Sequence, residues 1–159
     1  MVDQIPTATR PGRRRIIGID PGSRTTGYAL IDSDGTHSTR VASGCIRVGA
    51  EAWPGRLGLI FSGVAVLVKD YAPQEMAVEQ LIFARDPLAA LKLGQARGAI
   101  ICAALQGGVQ IHEYSPKSVK QAVVGTGAAE KSQVQHMVRI LLGLDTEPAE
   151  DEADALALA

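Results

Sequence analysis

Apolar residues fall along this chain in a few blocks whose spacing assigns their structure. Residues 15–20 hold a β-branched apolar run closed by Asp20-Pro21-Gly22, the pattern of a buried strand entering a turn. Residues 26–32 read as its hairpin partner and 42–48 as a third strand. From Pro54 onward, Leu57, Ile60, Phe61, Val64, Val68 and Tyr71 follow the i, i+3, i+4, i+7 rule and predict a helix that Pro73 stops. Gly55, Gly58 and Gly63 cost that helix roughly 1 kcal/mol each relative to alanine, which close packing on a sheet would offset. Residues 75–79 form a short strand that ends in Glu79. Asp86-Pro87 caps a second helix running to Gly107-Gly108, with Gly94 and Gly98 one turn apart, so one face has almost no side chain and another backbone could approach it. Residues 109–114 alternate as a strand, and Ser115-Pro116 starts a short helix over 116–123. A flexible link at 125–127 precedes a helix over 129–142, with Val134, Met137, Val138 and Leu141 inward and Gly143 as its stop. Pro148 opens a last helix.

The resulting order, β-β-β-α-β-α-β-α-α-α, is that of an α/β domain: a mixed sheet faced by helices. One domain is expected from 159 residues. Aromatic residues are only 4% of the chain, so its core must be built from Ala, Val, Leu and Ile. No apolar stretch reaches the ~18 residues of a membrane helix, and no membrane partner is expected. Residues 1–14 carry prolines and arginines without an apolar segment, and read as a disordered basic arm rather than a secretory signal, with 15–159 as the folded domain. Cys45 and Cys102 each lie in apolar context, which points to buried free thiols in a reducing cytoplasm.

Net charge is −1, a mild argument against nucleic acid. The distribution of charge says more. The last fifteen residues hold Asp145, Glu147, Glu150, Asp151, Glu152 and Asp154 and no base, while Arg13 to Arg15, Arg85, Lys92, Arg97, Lys117, Lys120, Lys131 and Arg139 lie elsewhere. An acidic site flanked by basic surface suits a metal-dependent enzyme acting on a phosphate polymer.

The acids themselves sit where water is expensive to lose. Asp20 and Glu79 each close an apolar strand, and Asp151 and Asp154 are i and i+3 on one helical face. Singly, each has a plainer explanation: an Asx-turn for Asp20, a surface acid for Glu79, and a solvated first turn for the helical pair. Together, at ends that a mixed sheet can bring to one edge, they form a set of oxygen ligands suited to Mg²⁺ or Mn²⁺. Two such ions can activate a water and stabilise the leaving oxygen of an in-line displacement at phosphorus. His37, His112 and His136 are scattered and read as surface or core residues.

Several strings carry a family resemblance: Gly18-Ile19-Asp20-Pro21-Gly22-Ser23-Arg24, Gly44-Cys45-Ile46-Arg47, Val78-Glu79-Gln80, residues 90–98, residues 119–125, residues 130–139, and Ala153-Asp154-Ala155-Leu156-Ala157. In this order they closely resemble the RuvC Holliday-junction resolvases of bacteria, over about residues 15–159. The resemblance implies a ribonuclease-H-like fold, a five-stranded mixed sheet with helices on both faces. It implies a homodimeric Mg²⁺-dependent endonuclease, with two ions per site, that nicks two strands of like polarity across a four-way DNA junction. It puts the catalytic, metal-holding tetrad at Asp20, Glu79, Asp151 and Asp154, with Lys120 and Lys131 at the scissile phosphate. It also implies a cytoplasmic setting, RuvA and RuvB as branch-migration partners, and a helix 87–107 that pairs across the dimer axis. Phe83 is a candidate junction wedge, or else a core or dimer residue. Base stacking of that kind contributes roughly 1–3 kcal/mol. Arg85, Lys117 and Arg13–Arg15 are candidate phosphate contacts or plain solvated surface. Family members continue the last helix and often end in a basic tail, so the final helix is expected to be cut short here. Alternative readings are a non-catalytic junction-binding module, another nuclease of this fold acting on RNA or hybrids, and an actin-like phosphotransferase, the last because residues 20–27 resemble a phosphate loop.

Overall fold

A computed structural model describes Thr9, residues 11–80 and residues 86–159. Strands β1 (Arg14–Asp20), β2 (Thr25–Ser33), β3 (Ser38–Arg47), β4 (Glu75–Glu79) and β5 (Gln110–Tyr114) form one sheet in the order β3-β2-β1-β4-β5. The two hairpin contacts are antiparallel, and β1/β4 and β4/β5 are parallel, so β1, β4 and β5 end at the same edge. Helices α1 (Trp53–Tyr71) and α2 (Pro87–Gln106) cover one face. Helices α3 (Pro116–Val124), α4 (Lys131–Leu141) and α5 (Glu150–Leu158) cover the other. The expected mixed sheet with helices on both faces is what the chain forms.

Strand alternation sorts the core. Ile17, Ile19, Leu30 and Met76 point toward α1 and α2, where Ile60, Val64, Ile100 and Ala104 meet them. Ala29 and Ile31 point the other way, against Val134, Val138, Ala155 and Leu156. Asp86 and Ser115 cap α2 and α3 by accepting from the amides of Leu88 and Ser118, and each helix has proline in its first turn.

Several expectations need correction. β3 begins at Ser38, not 42, because its first half is an edge segment with polar side chains and no apolar alternation to reveal it. α4 begins at Lys131 rather than 129, where Glu130 and Gln133 form a reciprocal capping box. Leu141 is exposed, since it lies in the last turn where α4 leaves the core, and on α1 Leu67 is buried although the predicted inward set leaves it out. Both cysteines are free, but Cys102 is exposed and Cys45 only half-buried. α2 is long and apolar enough, by length and composition, to cross a bilayer, because Lys92 and Arg97 interrupt the run without lowering its mean hydropathy enough.

The basic run is also more structured than expected where it is described. Arg14 opens β1 and pairs with Glu75 at 2.6 Å, and Arg13 pairs with Asp34 at 3.4 Å. Arg15 is fully buried, grips Asp32 through two bonds of 2.8 and 2.9 Å, and donates to the Tyr71 carbonyl at 3.0 Å. A bidentate buried pair of this kind locks the amino end of β1, and all three guanidinium groups pair with acids of the same chain, the Arg14 side chain remaining largely exposed.

Candidate active site

The last helix lies directly on the sheet because two glycines leave room for it. A Cβ on Gly18 would stand 2.1 Å from the Ala155 carbonyl oxygen, and one on Gly27 2.1 Å from that of Asp151. Gly27 is paired with Asp20 across the hairpin. Seating the backbone of α5 on β1 and β2 therefore puts its acids beside the end of β1. β4 runs parallel to β1 with Ile19 opposite Val78, so Asp20 and Glu79 occupy the next register position at the same edge. Strand register and glycine contact thus bring together Asp20 and Glu79, 59 residues apart, with the acids of α5.

The convergence forms a cleft of about 240 Å³ lined by Asp20, Glu79 and Asp154, with Lys120 from α3 and Lys131 from α4 among its walls. Asp151 lies one turn back on α5, exposed, with its carbonyl over Gly27. Lys117 is exposed at the start of α3 and does not line the cleft; its stem packs on Gly127. Phe83 and Arg85 fall outside the described residues. Of the nine residues singled out by sequence, five thus meet in one cleft.

Electrostatics marks the cleft as short of positive charge. Burial, then the neighbouring carboxylates of Asp154, Glu79 and Asp151, push the Asp20 carboxyl up to about 7, with Lys131 acting against them. Burial and Asp154 raise Glu79 as well, opposed by Lys131 and Lys120. Lys131 bonds Glu150 at 2.7 Å and Asp154 at 3.2 Å, and these partners hold its ammonium well above the usual lysine range. Two lysines against Asp20, Glu79, Glu150, Asp151 and Asp154 leave an excess of negative charge that a divalent cation would neutralise. Among the described residues no three acid, imidazole or thiol groups stand close enough to enclose an ion as they are. The donors suit a hard cation in chemistry, all being carboxylate oxygens around an open cleft.

Two supports were not foreseen from sequence. Arg97 on α2 donates through Nε to the Glu79 carbonyl at 3.1 Å and pairs with Glu113 at 2.7 Å, fixing the end of β4. Glu152 on α5 turns away from the cleft and bonds to β3. Arg97 read as one more surface base, and Glu152 as one acid in an acidic tail; nothing local in either string names a partner.

A sheet of this order, with acids at the carboxyl ends of its first and fourth strands and on a helix laid across them, is the architecture of a ribonuclease-H-like nuclease. The family model described as crossover junction endodeoxyribonuclease RuvC matches residues 16–159. The chain is 58% identical over 144 residues to the crossover junction endodeoxyribonuclease RuvC of Marinobacter nauticus, covering 91% of this chain and 82% of that one. The structure of Thermus thermophilus RuvC superposes with a TM-score of 0.83 at 35% identity, covering 91% of this chain and 90% of that one. The same protein in complex with a Holliday junction substrate gives 0.83 at 32% identity, with the same coverage. The chain belongs to the RuvC family of crossover junction endodeoxyribonucleases.

Proposed function

We propose that this protein resolves four-way DNA junctions by paired nicks, with Asp20, Glu79, Asp151 and Asp154 holding Mg²⁺, or Mn²⁺ in its place, at two positions per site. The carrying observation is the convergence of Asp20, Glu79 and Asp154 in a cleft where burial, and then the neighbouring carboxylates, hold Asp20 at about 7. The relative solved on a Holliday junction supports the substrate. Bound cations would supply an activated water and charge stabilisation at the leaving oxygen. The chain's own residues orient the rest: Gly18 and Gly27 seat α5, Arg97 holds the end of β4, and Lys120 and Lys131 face the phosphate.

The exposed Leu88, Leu91 and Leu105 on α2, beside the exposed Gly98, fit a face that pairs with a second copy. A homodimer would present two sites to a pseudo-two-fold junction. It also gives the long apolar helix a protein partner rather than a bilayer. Phe83 at the junction centre, Arg85 and Lys117 on phosphates, RuvA and RuvB as partners, and a cytoplasmic setting complete the reading.

The deciding experiment is nicking of a mobile four-way junction, with linear duplex as control, in Mg²⁺ and in excess chelator. Symmetric nicks only on the junction and only with the cation are expected. Equal cutting in chelator, or equal cutting of duplex, would remove the assignment. Lys120→Ala is expected to flatten the slope of log affinity against log salt by up to about one counterion. Lys131→Ala should flatten it less without cation, because Glu150 and Asp154 already engage that ammonium. A slope identical to wild type for Lys120→Ala would place that lysine off the DNA.

A further inference from the structure

α5 is held from two sides over its first two turns. From α4, Lys131 ties Glu150 at 2.7 Å and Asp154 at 3.2 Å. From β3, Ser43 Oγ donates to Glu152 Oε1, and Arg40 Nη1 stands 3.5 Å from that same oxygen while donating to Ser43 Oγ at 3.2 Å. The Glu152 side chain is only 19% exposed, so this is not an acid left in water to complement the helix dipole.

What lies beneath α5 explains why a side tie is needed. Its backbone rests on Gly18 and Gly27, which present no side chain to interlock with it. The glycines therefore do not fix the roll of the helix, which is left to the packing of Ala155 and Leu156 against Val134 and Val138 and to the polar ties on either side. A carboxylate stands roughly 5–6 Å from the axis, so a roll of about 20° moves it by about 2 Å. That displacement is as large as a whole metal–oxygen bond.

We propose that Glu152 is a positioning residue: its bond to Ser43 and Arg40 on β3 sets the roll of α5, and so the placement of Asp151 and Asp154 relative to Asp20 and Glu79. The proposal rests on reading the acidic cleft as a divalent-cation site. Glu152 touches neither cation nor DNA in this role; it acts through the helix.

Mn²⁺ titration of the full chain without DNA, followed by calorimetry, separates the possibilities. Glu152→Ala is expected to weaken Mn²⁺ by about tenfold or more, the usual loss when an outer support of a ligand is removed. Glu152→Gln keeps an oxygen to accept from Ser43 and should stay within about threefold of wild type. Ser43→Ala removes the donor without altering α5, should fall between the two, and serves if Glu152→Ala does not fold. Junction affinity in chelator should be unchanged in all three, and nicking should recover as Mn²⁺ is raised. A lowered melting temperature with wild-type Mn²⁺ affinity in Glu152→Ala and Ser43→Ala would reduce Glu152 to a structural bond and overturn the proposal. Wild type and Asp154→Asn binding Mn²⁺ equally poorly would instead overturn the cation site itself, and the proposal with it.

Discussion

Asp20→Asn is expected to abolish nicking, leave junction affinity in chelator near wild type, and stabilise the cation-free protein above neutral pH. The catalytic loss follows from the site. Removing a ligand carboxylate that sits among Glu79, Asp151 and Asp154 forfeits about 4 kcal/mol of charge stabilisation, roughly a thousandfold in rate. The stability gain follows from the burial of Asp20 and from the same crowding of charge. Folding moves the Asp20 carboxyl from 3.8 up to about 7, so the folded state binds its proton more tightly than the unfolded chain. Its contribution is fully present below about pH 4 and is lost as pH rises through 7. The gap corresponds to at most about 4 kcal/mol at pH 8, and water at the open cleft reduces it to roughly 2. Asparagine carries no such cost. In chelator at pH 8 the variant should therefore melt about 4–8 °C above wild type, and the difference should vanish near pH 4. Added Mg²⁺ should close the gap from the wild-type side, since a cation relieves the repulsion that a proton relieves at low pH. Wild-type nicking by the variant, or parallel melting curves across pH, would take Asp20 out of the cluster.

The strand-closing positions of Asp20 and Glu79 could be read directly from the chain, because an acid after a β-branched run has few places to go. The i, i+3 pair on α5 was also legible, although only Asp154 lines the cleft while Asp151 stands a turn back. Lys120 and Lys131 were placed by resemblance, since nothing in the short helices around them points to a shared wall. What periodicity does not encode is the partner of a charged side chain. Arg15 read as the start of a strand and a candidate phosphate contact, yet it is buried against Asp32, seventeen residues on. Glu152 looked like acidic filler, yet its partner is Ser43, 109 residues away. Both pairings exist only once the hairpin has formed and α5 has docked. Leu141 failed for a related reason: helical spacing marks a face but not where along its length the core ends. The exposed first half of β3 has no apolar alternation because only one neighbour and little core bear on it.

Gly18→Ala and Gly27→Ala are expected to lower nicking by about a hundredfold each while the protein still folds and binds junctions. In both cases the added Cβ meets a backbone carbonyl oxygen of α5 at 2.1 Å, so no rotamer change can relieve the contact. The helix must lift from the sheet by more than about 1 Å to regain van der Waals distance. Overpacking of this kind costs about 1–3 kcal/mol, which a domain of this size survives. The site does not survive it, because a 1 Å misplacement of reacting groups costs on the order of 10² in rate. Gly27→Ala pushes under Asp151 and Gly18→Ala under Ala155, next to Asp154, so each displaces a different acid. Gly58→Ala is the control: it lies in α1 with open space at its Cβ position and an ordinary helical φ, and should leave nicking intact while stabilising α1 by up to about 1 kcal/mol. Melting temperature and single-turnover nicking on the three variants decide the matter. If the two strand glycines tolerate alanine with wild-type rates, α5 is not seated on β1 and β2 through these contacts, and the assembly of the acidic cleft from distant parts of the chain needs another cause.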